Sequence, residues 1–177
     1  MQPIVYDVAV SIDGFISGRS NDISRFAQEG PVVEDYQERL AGYGTAIMGR
    51  NTYEFGYGFG LEPGQNPYPH METYVFSTKI DLPRTSDVTV VREDIAATIT
   101  SIKAAAKKPV YLCGGGRFAA ALMTLGLVDR LILKRAPVLL GTGVRLLEDE
   151  PETPHPKFVD SRAYADGYLL QEYEVIR

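Results

Sequence analysis

Cysteine and histidine are scarce in this 177-residue chain, and the scarcity excludes two kinds of site. Cys113 stands alone, so no internal disulfide can form. No histidine is placed to activate it, and it reads as a small buried hydrophobe rather than a nucleophile. His70 and His155 lie in proline-rich segments without partners at ligand spacing, so no metal site is expected. Runs of like charge are missing too. The 18 lysines and arginines against 23 acids give a formal charge of -5 and a pI near 5.1, the wrong sign for a general nucleic-acid surface. No stretch is long and apolar enough to span a membrane, and no basic-then-apolar leader opens the chain. The expectation is a cytoplasmic protein with a small-molecule ligand. Its 45% hydrophobic content is ample for one buried core, hence a single domain over residues 1–177.

What is present gathers around Val110-Tyr-Leu-Cys-Gly-Gly-Gly-Arg-Phe-Ala-Ala-Ala-Leu-Met-Thr-Leu125. Strand formers end at Cys113, three glycines follow, and helix formers with apolar residues at helical spacing come next. This is strand, tight turn, helix. Glycine lets the turn take left-handed angles and lets a ligand approach the main chain. The first helix amides, unpaired and at the positive end, then face an anion such as phosphate. From this stretch alone, a glycine turn that merely packs helix on sheet reads equally well.

Two further strands end in related chemistry. Thr45–Gly49 runs into Arg50-Asn-Thr-Tyr53, where Asn51 or Thr52 can cap a helix and Arg50 offers a planar fork. Glu72–Ser77 runs into Thr78 and Lys79, giving two hydroxyls and an ammonium. Each reads singly as ordinary surface, but in an open α/β sheet ligands bind across the carboxyl ends of the strands, and the joint placement favours a nucleotide. Between them, residues 55–70 are too rich in glycine, proline and aromatics for regular structure. That loop suits a substrate-pocket wall, a packed surface loop or a subunit contact.

The remaining chain supplies strands at 3–10, 87–91 and 129–136, a helix at 33–42 stopped by glycine, and a helix at 95–107 capped by Asp94 with lysines in its last turn. Residues 11–18 and 137–143 read as loops. Alternating segments around Asp166-Gly167 form a closing hairpin. The predicted class is α/β, a three-layer αβα arrangement with a mostly parallel mixed sheet closed by a C-terminal antiparallel hairpin.

In order and spacing, Ala9-Val-Ser-Ile-Asp-Gly14, Met48-Gly-Arg-Asn-Thr-Tyr53, Phe76-Ser-Thr-Lys79, Cys113-Gly-Gly-Gly-Arg-Phe118 and Leu127-Val-Asp-Arg-Leu131 leading to Pro137-Val-Leu-Leu-Gly-Thr-Gly143 cover nearly the whole chain. On these motifs it resembles the dihydrofolate reductase-like family, most closely the C-terminal reductase domain of the bifunctional riboflavin-biosynthesis deaminase-reductase. The resemblance implies NADPH. Gly49, Arg50 and Thr52 would hold the pyrophosphate and the adenosine 2′-phosphate, and Ser77, Thr78 and Lys79 would surround that 2′-phosphate. Gly115, Gly116 and Arg117 would cradle the pyrophosphate with Phe118 beside it, while main-chain groups of Ala9 and Ile16 would hold the nicotinamide carboxamide. The implied chemistry is hydride transfer to a C=N or C=O carbon of a small molecule, a pyrimidine of the riboflavin pathway in the nearest relatives, and a homodimer is implied as well.

Asp13 is the candidate proton donor, or else it closes the Ser11-to-Gly14 turn by an Asx bond. Asp35, Tyr53 and Tyr57 are candidate substrate residues. Asp35 is near the place of the first-helix carboxylate of dihydrofolate reductases, but its spacing to Arg50 does not match, which argues against pterin reduction. Asp7 and Phe15 stand where riboflavin-pathway reductases carry basic residues, and Gly114 stands where they carry an acid. Two rivals remain at this stage. Gly114-x-Gly116-x-x-Ala119 matches a Rossmann fingerprint, although Lys134 and Arg135 occupy the following strand where that fold needs an acid. The other is a non-catalytic NADPH-binding or assembly protein that keeps the cofactor cleft.

Overall fold

The computed structural model describes residues 1–149 and 155–176. Its first strand, β1 (Ile4–Val10), is apolar on both faces apart from Asp7, the pattern of a strand covered by helices on either side. Ile4, Tyr6 and Val10 pack into one core, and Val5 packs into another on the opposite face. After β2 (Phe15–Ser17) come α1 (Pro31–Gly42), β3 (Thr45–Gly49), α2 (Arg50–Phe55), β4 (Glu72–Phe76), β5 (Thr89–Val91) and α3 (Ile95–Ala105). Then follow β6 (Val110–Gly114), α4 (Gly116–Thr124), β7 (Arg130–Arg135), β8 (Val144–Arg145), β9 (Pro156–Ala163) and β10 (Leu169–Val175).

Eight strands form one sheet in the order β5-β4-β3-β6-β1-β7-β10-β9. The six from β5 to β7 are mutually parallel, and β10 and β9 complete the sheet antiparallel. Leu40 of α1 and Tyr53 of α2 bury against one face, whereas Ile99 and Ile102 of α3 and Ala119 and Leu122 of α4 bury against the other. Chain leaving β6 therefore goes to the opposite face from chain leaving β1 and β3, its two neighbours. That reversal opens a crevice at the carboxyl ends of these strands. The predicted class is the observed one, and the Asp166-Gly167 hairpin forms as expected, with Gly167 at φ 87° and its amide bonded to Tyr164 O.

Local details differ from the sequence expectation. Residues 15–17, read as part of a loop, instead pair with residues 144–145 as a small antiparallel sheet, with Phe15 opposite Arg145 and Ser17 opposite Val144. Neither segment is long enough to show a period of its own. Gly49 holds the N-cap of α2, so Asn51 and Thr52 lie inside that helix. Asp94 occupies its N-cap position at φ 51° without a side-chain cap bond. Gly42 lies within α1, which ends because extended Tyr43 turns inward to stack on Tyr111. α3 stops at Ala105, leaving Lys103 in its last turn and Lys107 beyond it.

Candidate functional site

β1 and β6 pair only from Ile4 with Val110 to Tyr6 with Leu112, whereas β1 stays paired with β7 as far as Val10 with Arg135. β6 meanwhile follows β3, with a register shift that brings Gly114 opposite Met48. The two central strands thus part beyond Tyr6, leaving a slot between the end of β1 and residues 113–115. Pro3 O accepts from Val110 N, while Ile4 O and Val10 O accept from Asp129 N and Ala136 N. Odd-numbered residues of β1 therefore turn their main-chain groups toward β6, and those of Ala9 face the slot.

Around the slot the structure brings most of the predicted phosphate residues together. A Cβ on Gly115 would stand 3.2 Å from Thr52 Oγ1, so the β6–α4 turn and α2 face one another directly. Gly49 lies against Phe118, which packs at a tilt on Phe76 with ring centroids 4.8 Å apart. The first α4 bond runs from Ala119 N to Gly115 O, so the amides of Gly116, Arg117 and Phe118 precede the helical ladder. Arg50 is half-exposed and bonds Glu54 at 3.2 Å, a surface pair worth little. Ser77 Oγ accepts the amides of Lys79 and Ile80, folding the β4 end into a tight turn with Thr78 and Lys79 exposed. Arg117 points to the surface and pairs with Asp149.

Gly116 serves the chain itself. A side chain there would overlap the Arg145 carbonyl, because residues 144–148 cross the glycine turn as a strap. The Leu146 amide donates to Gly14 O, and Leu146 O accepts from the Tyr6 hydroxyl at 3.2 Å. The strap and the packed side chains Leu146 and Leu147 close the α4 side of the slot. Asp13 fastens the neighbouring loop: its carboxylate accepts from Ser11 Oγ at 2.6 Å, Gly141 N at 2.7 Å and Leu140 N at 3.1 Å. The Ser11 hydroxyl foremost, with these amides, holds its pKa down to about 2. An ionised, fully accepting carboxylate favours the turn-closing role over proton donation. In Asp13→Ala, hydrogen exchange at the Leu140 and Gly141 amides should accelerate about tenfold or more while the β1 amides keep their protection. Unchanged exchange at both would contradict the clasp.

The α1 side of the slot is different: it holds a cluster of titratable groups that the sequence motifs did not disclose. Asp7, fully buried, accepts from Arg39 Nε at 2.8 Å, Arg39 Nη2 at 3.3 Å, Tyr43 Oη at 3.2 Å and Lys134 Nζ at 2.9 Å. Lys134 Nζ also sits 3.4 Å from the centroid of the Tyr36 ring, a close cation–π contact. The Tyr36 hydroxyl meets that of Tyr111 at 2.8 Å, and Tyr68 Oη lies 3.3 Å from Cys113 Sγ. Burial tends to raise the Asp7 pKa, but the Lys134 ammonium and the Arg39 guanidinium outweigh it and hold the carboxyl below its usual range. Burial pulls the Lys134 ammonium down, against the opposing pull of Asp7. Burial also raises Tyr36, Tyr43, Tyr68, Tyr111 and Cys113, which all stay protonated near neutrality. The sequence signal was slight: Asp7 is the one charge inside apolar β1, and Lys134 is one of three basic residues in β7.

The other substrate candidates lie outside this cluster. Asp35 accepts from Arg162 Nη1 at 2.5 Å and Tyr164 Oη at 2.7 Å, facing the closing hairpin. Tyr53 is buried, its hydroxyl donating to Gln65 O and accepting from Gly64 N, and Tyr57 packs edge-on against its ring. Among the described residues, no group of three or more His, Cys, Asp and Glu is arranged to hold a metal ion, and no helix is long and apolar enough to cross a membrane.

A family model described as the RibD C-terminal domain matches residues 2–170. The uncharacterized protein YyaP of Bacillus subtilis (strain 168) is 26% identical over 182 residues, covering 96% of this chain and 93% of that protein. Among solved structures, a putative riboflavin biosynthesis protein from Shewanella sp. PV-4 superposes with a TM-score of 0.83 at 21% identity, over the whole of both chains. A diaminohydroxyphosphoribosylaminopyrimidine deaminase/5-amino-6-(5-phosphoribosylamino)uracil reductase from Thermotoga maritima superposes at 0.73 and 16% identity, over 99% of this chain and 57% of that longer one. The fold is the dihydrofolate reductase-like one.

Proposed function

The chain belongs to the RibD C-terminal domain family, and from that premise we propose that it is an NADPH-dependent reductase of a C=N or C=O group in a small molecule, a riboflavin-pathway pyrimidine being the leading substrate class. The observation that carries this reading is the parting of β1 and β6, which turns the main-chain groups of Ala9 into a slot flanked by two glycine turns. A flat carboxamide-bearing ring fits between parted strands whose amides and carbonyls lack a ladder partner. The amides that precede the α4 ladder suit the pyrophosphate, with Gly115 and Thr52 allowing close approach. Arg50 and Lys79 stand beyond them on the β3 and β4 ends, where a 2′-phosphate would find two cations and the hydroxyls of Ser77 and Thr78. Ile16 lies on β2, beside the Asp13-clasped loop.

NADPH, when bound, supplies the hydride. The chain's own work is to align acceptor and donor, to close the α4 side with the 144–148 strap, and to supply a proton from the α1 side. A homodimer belongs to the same reading. β9 is an edge strand exposed along its whole length, with Phe158 and Val159 outward, and its pairing with a second copy would remove that edge.

Charge-assisted contacts from Arg50 and Lys79 to a 2′-phosphate are worth about 1.5–3 kcal/mol each. Calorimetric titration should therefore find NADPH bound far more tightly than NADH. The Arg50→Ala/Lys79→Ala variant should lose well over about tenfold in NADPH affinity while NADH affinity barely moves. Equal losses for both cofactors, or no binding of either by the wild type, would count against the assignment.

A further inference from the structure

We propose that Lys134 is the proton donor of this site, its ammonium lying at the parting of β1 and β6 on the face where a substrate would stack. The inference rests on the reductase reading above and adds the residue that completes its chemistry. Lys134 is opposite Ala9 in the β1–β7 register, and its side chain leans across β1 to reach Asp7. The Tyr36 ring that meets the ammonium carries a hydroxyl 2.8 Å from that of Tyr111 on β6, the strand across the slot. The ammonium thus lies on the α1 side, between Asp7 and Tyr36, while the strap covers the other side.

Two features suit it to giving up a proton. Asp7 has a second cation, since both Arg39 nitrogens and the Tyr43 hydroxyl remain on the carboxylate after Lys134 becomes neutral. No buried charge is then left without a partner. Among the described residues the ammonium also meets the face of Tyr36, a cover without an acceptor lone pair. As the substrate carbon receives the hydride and its electron pair, the C=N or C=O π electrons move onto nitrogen or oxygen. The Lys134 Nζ–H bond breaks and its proton forms the new N–H or O–H bond. The substrate is reduced by two electrons as NADPH is oxidised, and the neutral lysine regains its proton from water.

Lys134 meets Asp7 on β1 and Tyr36 on α1; Arg39 and Tyr43 share Asp7 with it, Tyr111 on β6 bonds the Tyr36 hydroxyl, Tyr68 on the long loop bonds Cys113 of β6, and Asp35, one helical turn from Arg39, bonds Tyr164. Leu170, its β10 neighbour, carries no charge. Near neutrality Asp7 and Arg39 are charged while the tyrosines and cysteine are neutral, so Lys134 is the group whose charge changes as the solution turns alkaline.

A nicotinamide cation feels that change and a dihydronicotinamide does not. The test is the ratio of the dissociation constants of NADP+ and NADPH, measured calorimetrically from about pH 6 to about pH 10. A ratio cancels the shared titration of the 2′-phosphate. In the wild type it should fall about tenfold or more as Lys134 loses its proton. In Lys134→Met it should be low at every pH, and in Lys134→Arg, which keeps the charge without titrating, high at every pH. A wild-type ratio that is flat with pH and matched by both variants would overturn the assignment of Lys134 while leaving the reductase reading intact. Failure of the wild type to bind either dinucleotide would overturn that reading and this proposal with it.

Discussion

Asp7→Ala should lower the folding free energy by about 3–5 kcal/mol, because it leaves buried Lys134 and partly buried Arg39 without their shared carboxylate. Urea unfolding followed by circular dichroism would measure it. The double variant Asp7→Leu/Lys134→Met should recover about half of the loss, since it removes the buried ammonium and leaves only the partly exposed Arg39 without its carboxylate. A single-variant loss under about 1 kcal/mol would mean that the cluster is hydrated and only loosely coupled. The pH dependence has a definite sign. The folded-state pKa of Asp7 is depressed, so its stabilisation is complete above the unfolded value of about 3.9 and disappears as the pH falls through the lower folded value. The Lys134 pKa is depressed as well, which for a base means that the unfolded chain holds the proton more tightly. Its contribution should improve as the pH rises from the folded value toward the ordinary one near 10.5.

This cluster also shows where reading from sequence stops. The sheet was legible because its strands are apolar runs ended by glycine or hydroxyl residues, and Gly49, Ser77 and Gly114 each mark a carboxyl end with local chemistry. Asp7, Tyr36, Arg39, Tyr68, Tyr111, Cys113 and Lys134 carry no such mark. They converge only because β1 lies between β6 and β7 while α1 folds back over them, a relation with no local period. The small β2–β8 sheet was hidden for a similar reason, since two- and three-residue strands exist only through each other. Asp35 was expected at the substrate because it lies on the first helix, yet its face of α1 meets Arg162 and Tyr164 of the hairpin. Helix periodicity assigns a face but does not name the element packed against it.

The glycine-rich turns contain glycines required for two different reasons, and substitution should separate them. Gly143→Ala should cost about 2–5 kcal/mol, as its φ of 140° strains any L side chain and a Cβ would overlap the carbonyl of Ser17. Gly116→Ala meets the Arg145 carbonyl and must lift the strap from the turn, at about 2–3 kcal/mol. Gly115→Ala is the contrasting case. Its φ of -85° accommodates alanine, and the nearest atom to the new Cβ is Thr52 Oγ1 at 3.2 Å, a side-chain atom rather than backbone. Its stability cost should stay within about 1 kcal/mol. The methyl would instead project into the crevice between α2 and α4, where the pyrophosphate is proposed to lie, and NADPH affinity should fall about tenfold or more. Thermal unfolding paired with calorimetric titration decides the matter. If Gly115→Ala unfolded as readily as Gly116→Ala and bound NADPH as well as the wild type, the turn would be a packing device at both positions and the phosphate would have to lie elsewhere.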